Sequence, residues 1–153
     1  MEIQEALRAL DRLLDEAKIA ILSNIAEDGS PGLRWMSPTL IRGREGFLYA
    51  VTSARFPKTT QLQKQPAVTW MVQDKALSEV ISVRGSMKVI TDPGLQAMVQ
   101  EAIGGKLQVF YKQGADPGEL VVLETRIREI EQFKPMKGEK NRATFDWGSH
   151  EHD

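Results

Sequence analysis

The chain has 153 residues, with 20 Lys and Arg against 21 Asp and Glu for a formal net charge of −1, and no cysteine. That length suits a single domain with its own core, and the missing cysteines exclude disulfide frameworks, thiolate catalysis and Cys-based zinc sites. Balanced charge argues against a general nucleic-acid or membrane-surface binder; no apolar run could cross a bilayer, and the opening Met-Glu-Ile-Gln-Glu lacks the basic-then-apolar order of a signal peptide, so a soluble cytoplasmic protein is expected.

Ile3, Leu7, Leu10 and Leu14 recur at helical spacing, with Ala6 and Leu13 beside them and charged residues between. This predicts an amphipathic helix with one face to bury. Ala17 to Ala26 reads as a buried strand, and Asp28-Gly29 as a hairpin turn. An extended segment runs from Gly32 to Ile41, with Pro38 marking an edge, bulge or break. Phe47 to Thr52 is a third strand, Lys58 to Gln65 a short helix and Ala67 to Gln73 a fourth strand. In the fifth, Ile81, Val83, Met87 and Val89 alternate with Ser82, Arg84, Ser86 and Lys88, and Gly85 signals a bulge or a close backbone approach. Asp92 and Pro93 are the expected N-cap and first residue of a helix ending at Ile103, before Gly104-Gly105. A short helix over Leu107 to Gln113, a turn over Ala115 to Gly118 and a long strand from Leu120 to Phe133 complete the body. The expected fold is mainly β with helical inserts, a small barrel of about six antiparallel strands. Residues 1–136 form the domain, and 137–153 are read as a polar tail, mobile or ordered on a partner.

The densest chemistry lies in YAVTSARFPKTTQLQKQPAVTWMV, Tyr49 to Val72. Here a strand ends in Thr52 and Ser53, and Arg55, Lys58, Thr59 and Thr60 follow where a helix starts after Pro57. Free N–H groups at a helix start, hydroxyls and cations together suit a phosphate. The alternative is an ordinary polar loop. The P-loop spacing is absent. In the second strand, alternation sets Arg34 and Met36 against Trp35 and Ser37. Either Arg34 neutralises a second negative charge, or Trp35 and Met36 are core and Arg34 snorkels. Trp70 suits core or interface better than ring stacking. His150 and His152 stand in the tail, which makes a metal site unexpected, and the histidine-free body argues against Ser-His-Asp catalysis. Glu124, Glu129 and Glu131 alternate with Arg126 and Arg128, a pattern for cross-strand ion pairs rather than paired catalytic carboxylates.

Taken in order, AILSNIAEDGSPGLRWMSP, the Tyr49 to Val72 stretch, SVRGSMKVITDP and GADPGELVVLETRIREIEQF resemble the pyridoxamine 5′-phosphate oxidase-like, FMN-binding split barrels, in particular the general stress protein branch. The resemblance spans about Leu14 to Pro135 and implies a six-stranded split barrel that holds FMN between the subunits of a homodimer. It implies that Arg34, Trp35, Met36 and Ser37 lie along the flavin. Val51, Thr52 and Ser53 would sit near its phosphate and ribityl chain, and Lys58 and Thr59 would close on the phosphate. Trp70 would stand on the strand that reaches the dimer interface, within the cofactor set. The tail KGEKNRATFDWGSHEHD lacks a clear match to the basic and histidine residues of members that make pyridoxal phosphate, which speaks against pyridoxamine phosphate as substrate. Because a flavin carries its own redox chemistry, the implied activity is an oxidoreductase on an unidentified small molecule, with a reduced nicotinamide as a candidate electron donor and no acid or base residue named. The alternatives are a non-catalytic flavin-binding stress module, or the same fold holding a deazaflavin or haem.

Overall fold

The structure, a computed structural model, describes residues 1–53, 59–104 and 120–148, and excludes the side chains of residues 59 and 60. Helix α1 (Ile3–Ala17) is followed by β1 (Ala20–Ile25), β2 (Pro31–Met36), β3 (Thr39–Leu40) and β4 (Phe47–Ser53). Next come α2 (Thr59–Lys64), β5 (Ala67–Gln73), β6 (Val80–Val89) and α3 (Pro93–Ile103). Strands β7 (Leu120–Lys134) and β8 (Glu139–Thr144), joined by a 3-10 turn at Pro135–Lys137, complete the described chain. The expected helix over Leu107 to Gln113, the turn at Ala115 to Gly118, and His150 and His152 lie outside the described residues.

All strands join one curled antiparallel sheet in the order β2-β1-β5-β6-β7-β4-β3, with β8 also on β7. The long strand β7 explains the split. One of its edges pairs with β6 over most of its length. Its other edge takes β4 along Leu120 to Arg126, and then β8 along Glu129 to Lys134. Strand β2 also touches β4, which curls the sheet toward closure. The mainly β split-barrel class matches the sequence expectation, with eight strands in the sheet rather than six. One extra strand comes from Pro38, which is followed by the separate two-residue β3; a proline cannot donate to a ladder, so the extended segment divides there.

The other extra strand is β8, in the segment read as a mobile tail. Only Ala143 of its six residues is buried, so no apolar alternation announced it. It is held by the ladder to β7 and by Arg142, which reaches Glu129 at 2.6 Å and Glu131 at 2.9 Å. The Arg142 hydrogen bond holds the Glu131 carboxyl below its ordinary range. Beyond the strand, the Phe145 N–H donates to Arg128 O, and the Trp147 indole N–H donates to Ile127 O at 2.8 Å.

The inner face of the sheet forms the main core. Leu7, Leu10, Leu13 and Leu14 of α1 pack there against Leu22, Trp70, Ile81, Ile127 and their neighbours. On the outer face, α3 seals a second cluster in which Tyr49, Val51 and Val122 meet Ile90, Val99 and Ile103. Asp92 caps α3, accepting from the Leu95 N–H at 2.8 Å, with Pro93 as the first helical residue. At Gly85 the register of β6 shifts against β7, and an added Cβ would lie 2.3 Å from Arg126 O. Both sequence readings of that glycine, bulge and close approach, therefore hold.

Candidate functional site

Helix α2 closes one end of the sheet. Leu62 enters the core, and the Gln61 side-chain amide donates to Ile25 O at 2.8 Å, tying the helix to the end of β1. Strand β4 ends in Thr52 and Ser53, both half-buried. Strand β2 lies beside β1 and touches β4. Its register with β1 pairs Arg34 with Leu22 and Gly32 with Asn24, which places Arg34 on the inward set of the sheet. Arg34 is half-buried, and burial pulls its guanidinium below the ordinary arginine value. A partly dehydrated cation of this kind favours an environment that supplies negative charge.

Asn24 stands one step along the same face. It is 3% exposed, and its Oδ1 is buried without a hydrogen-bond partner. Such an acceptor costs about 1–3 kcal/mol unless something donates to it. Gly32, opposite, leaves room beside it; a Cβ there would come 3.5 Å from that oxygen. Asn24 and Gln61 were not singled out in the sequence. The available signal was an asparagine on the buried set Ala20, Leu22, Asn24 of an otherwise apolar strand.

The second-strand residues divide between the two faces. Met36 is buried with Arg34 inward, and Ser37 is half-buried after the strand ends. Trp35 points outward at 77% exposure, so the reading that made it core fails. Its register partner on β1 is Ile21, whose partner on β5 is Met71, and Leu33 projects on the same side at 74% exposure. Exposed Leu33 and Trp35 on β2 and Met71 on β5 therefore flank a half-buried Ile21 on β1.

Trp70 takes the core position that its residue type favoured. Its side chain is 2% exposed inside the core, and its indole N–H is satisfied by Thr125 Oγ1 at 3.0 Å, leaving no ring face for a ligand. Val51 is buried under α3, so its side chain is core as well. Arg55 and Lys58 lie outside the described residues, as does the side chain of Thr59. Helix α2 has six residues, less than two turns, so the dipole contribution expected from the sequence is small. Among the described residues, no group of three or more His, Cys, Asp or Glu could hold a metal ion, and no helix is long and apolar enough to cross a membrane. The glutamates of β7 do form cross-strand pairs: Glu124 with Lys88 at 3.7 Å, and Glu129 and Glu131 with Arg142.

The sequence profile described as pyridoxamine 5′-phosphate oxidase matches residues 6–134. The chain belongs to the pyridoxamine 5′-phosphate oxidase family. No curated protein matches its sequence. Among solved structures, it is similar to a Clostridium acetobutylicum protein related to general stress protein 26, with a TM-score of 0.70 at 14% identity, over 94% of this chain and 96% of that one. A pyridoxamine 5′-phosphate oxidase-related, FMN-binding protein from Nostoc punctiforme gives 0.57 at 14% identity, over 94% and 95%. A heme-binding protein from Mycobacterium smegmatis gives 0.67 at 14% identity, over 91% of this chain and 57% of that one. At such identities these neighbours establish the shared fold. Within the oxidase family fold, Asn24 and Arg34 share the inward set of β1 and β2, and Thr52 and Ser53 end β4.

Proposed function

We propose that this family member binds FMN between two copies of the chain and acts as an oxidoreductase on a small molecule. The observation that carries the reading is the half-buried Arg34 guanidinium on the same inward face as the unpartnered Oδ1 of Asn24. FMN combines a dianionic phosphate, a hydroxylated chain and a flat ring. Arg34 complements the anion by charge-assisted hydrogen bonding. Asn24 Oδ1 accepts from a hydroxyl, and the Thr52 and Ser53 hydroxyls can donate or accept. Lys58 follows within the same connection and adds a second cation. When bound, the flavin supplies the redox chemistry; the protein supplies orientation, charge and shelter from water. Exposed Trp35, Leu33 and Met71, around the half-buried Ile21, support a second copy as partner, because contiguous apolar surface of this kind marks an association face.

The general stress protein resemblance supports a second reading, a flavin carrier without turnover. The purified protein's absorption spectrum and the mass of its released cofactor test the first reading and separate FMN from FAD, a deazaflavin and haem. Arg34→Gln and Lys58→Ala are expected to lose FMN affinity at least tenfold, and Lys64→Ala to retain it. Bleaching of the bound flavin by reduced nicotinamide favours the oxidoreductase. A colourless protein that fails to take up added FMN rejects both readings.

A further inference from the structure

A groove of about 500 Å³ opens on the outer face of the sheet, and none of the proposed flavin-corner residues lines it. Its described lining carries four cationic side chains, Arg44, Lys88, Arg126 and Arg128, against one carboxylate, Glu124. The chain as a whole has a net charge of −1, so this concentration of positive charge is local. Two of the cations, Arg44 and Arg126, are also held in place. Arg44 donates to Tyr49 Oη at 3.0 Å and to Glu124 at 3.3 Å, and lies 5.0 Å from the Phe47 ring centre. Arg126 sits 4.7 Å above the Trp147 ring, whose own N–H is anchored on Ile127 O. Lys88 is set by Glu124 at 3.7 Å. Glu124 is buried, so its charge is engaged at the floor, while Lys88 and Arg128 are exposed at the rim. Phe47 and Leu95 add apolar wall.

Fixed cations above apolar walls, in a cleft of small-molecule size, match an organic anion better than a bare ion. We propose that this groove binds the phosphate or carboxylate end of a small organic anion, at a site separate from the flavin corner. Guanidinium groups suit the planar or branched oxygen arrays of both anions, and the walls take the carbon body. The site stands on residues that the flavin reading does not use, so either can fail alone.

The test is a titration of the full chain at low salt with phenyl phosphate, benzoate and phenol, followed by calorimetry and backbone amide shifts. Saturable binding of either anion, with shifts around Lys88, Arg126 and Trp147 and none with phenol, is expected. Whichever of the two anions binds more tightly names the head group. Lys88→Gln with Arg128→Gln is expected to weaken that anion at least tenfold, and the exposed Lys75→Gln to leave it unchanged. Should the double variant melt early by circular dichroism, Arg128→Gln alone carries the comparison, with a loss of at least threefold. Equal binding of phenol, equal loss in Lys75→Gln, or no saturation overturns the proposal. Competition by added FMN overturns its separateness.

Discussion

The phenol of Tyr49 donates a 2.7 Å hydrogen bond to Glu124 Oε2, and both residues are buried. They face each other across the β4–β7 ladder, where the register pairs them directly. Burial, then the bond to Glu124, pushes the Tyr49 pKa up to about 12. The folded state therefore holds the phenolic proton above the ordinary tyrosine range. The resulting stabilisation is fully present below about pH 10 and is lost as pH rises toward about 12. Tyr49→Phe removes a donor from a buried carboxylate, at an expected cost of about 1–3 kcal/mol at pH 7. Urea melts at pH 7 and pH 11 check both points: the gap between wild type and Tyr49→Phe is expected to narrow at pH 11. In ultraviolet titration, the wild-type minus variant difference should show a phenol ionising near pH 12.

Gly85→Ala should be among the most damaging small substitutions. The new Cβ would meet backbone, Arg126 O at 2.3 Å, as well as the Thr125 methyl at 2.8 Å. Backbone in the middle of a ladder cannot step aside as a side chain can, so the bulge or the pairing must deform. A loss of about 3 kcal/mol or more is expected from overpacking at such a site. Urea denaturation of the purified variant measures it, and a shift below about 1 kcal/mol would show that the β6–β7 contact is more compliant than its geometry implies.

Much of the fold was legible because its signals are local. The α1 stripe, the Asp28-Gly29 turn, the Asp92-Pro93 start and the alternation of β6 each rest on neighbours in the chain. In the Asp28-Gly29 turn, Gly29 takes φ 86 and the Ala26 N–H donates to Ser30 O. Strand β8 was illegible because its order is non-local: Glu139 to Thr144 look like loop until β7 presents Glu129 and Glu131 to Arg142. The candidate corner was half legible. Arg34, Thr52 and Ser53 stood out by residue type, whereas Asn24 matters through its burial and its unpaired oxygen. Trp70 is core as its residue type suggested, whereas Trp35 is exposed, for a related reason. A tryptophan in a strand packs on whichever face the register turns toward the core, and Trp35 and Trp70 fall on opposite faces.

Trp70→Phe tests whether that tryptophan is purely structural. The substitution keeps most of the apolar volume but removes the donor to Thr125 Oγ1. A loss of about 1–3 kcal/mol is expected from the smaller ring and the unsatisfied hydroxyl. Flavin retention should be unchanged. A variant that stays stable but releases flavin would return Trp70 to the ligand set.

Trp147 is one of the anchors that hold the segment after β8, beside Phe145. Trp147 lies 5.1 Å from the Phe47 ring centre, supports Arg126 and donates to Ile127 O. Gly46, at φ 87, leaves the space beneath it; a Cβ there would come 2.5 Å from the indole. Trp147→Ala should cost about 2 kcal/mol, or ~4–8 °C in Tm. The amides of Phe145 to Gly148 should then exchange faster, while those of β6 stay protected. Uniform loss of protection would mean that the segment is part of the cooperative core rather than an appended clasp.

The final prediction concerns the outer row on β2. Leu33 and Trp35 are 74% and 77% exposed, an unusual cost for two large apolar side chains on one face. Each projects from the face opposite the core, so charge placed there should leave the monomer fold intact. If two copies pair through this face as proposed, Leu33→Asp with Trp35→Asp is expected to raise the dissociation constant by at least a hundredfold, because each copy would bring paired carboxylates into an apolar contact. Light scattering across a concentration series measures the dissociation, and circular dichroism confirms that the fold survives. Flavin affinity should fall with dimerisation if the cofactor lies between subunits. A monomeric double variant that still holds FMN at wild-type affinity would place the whole cofactor site within one chain, at the Arg34 corner alone.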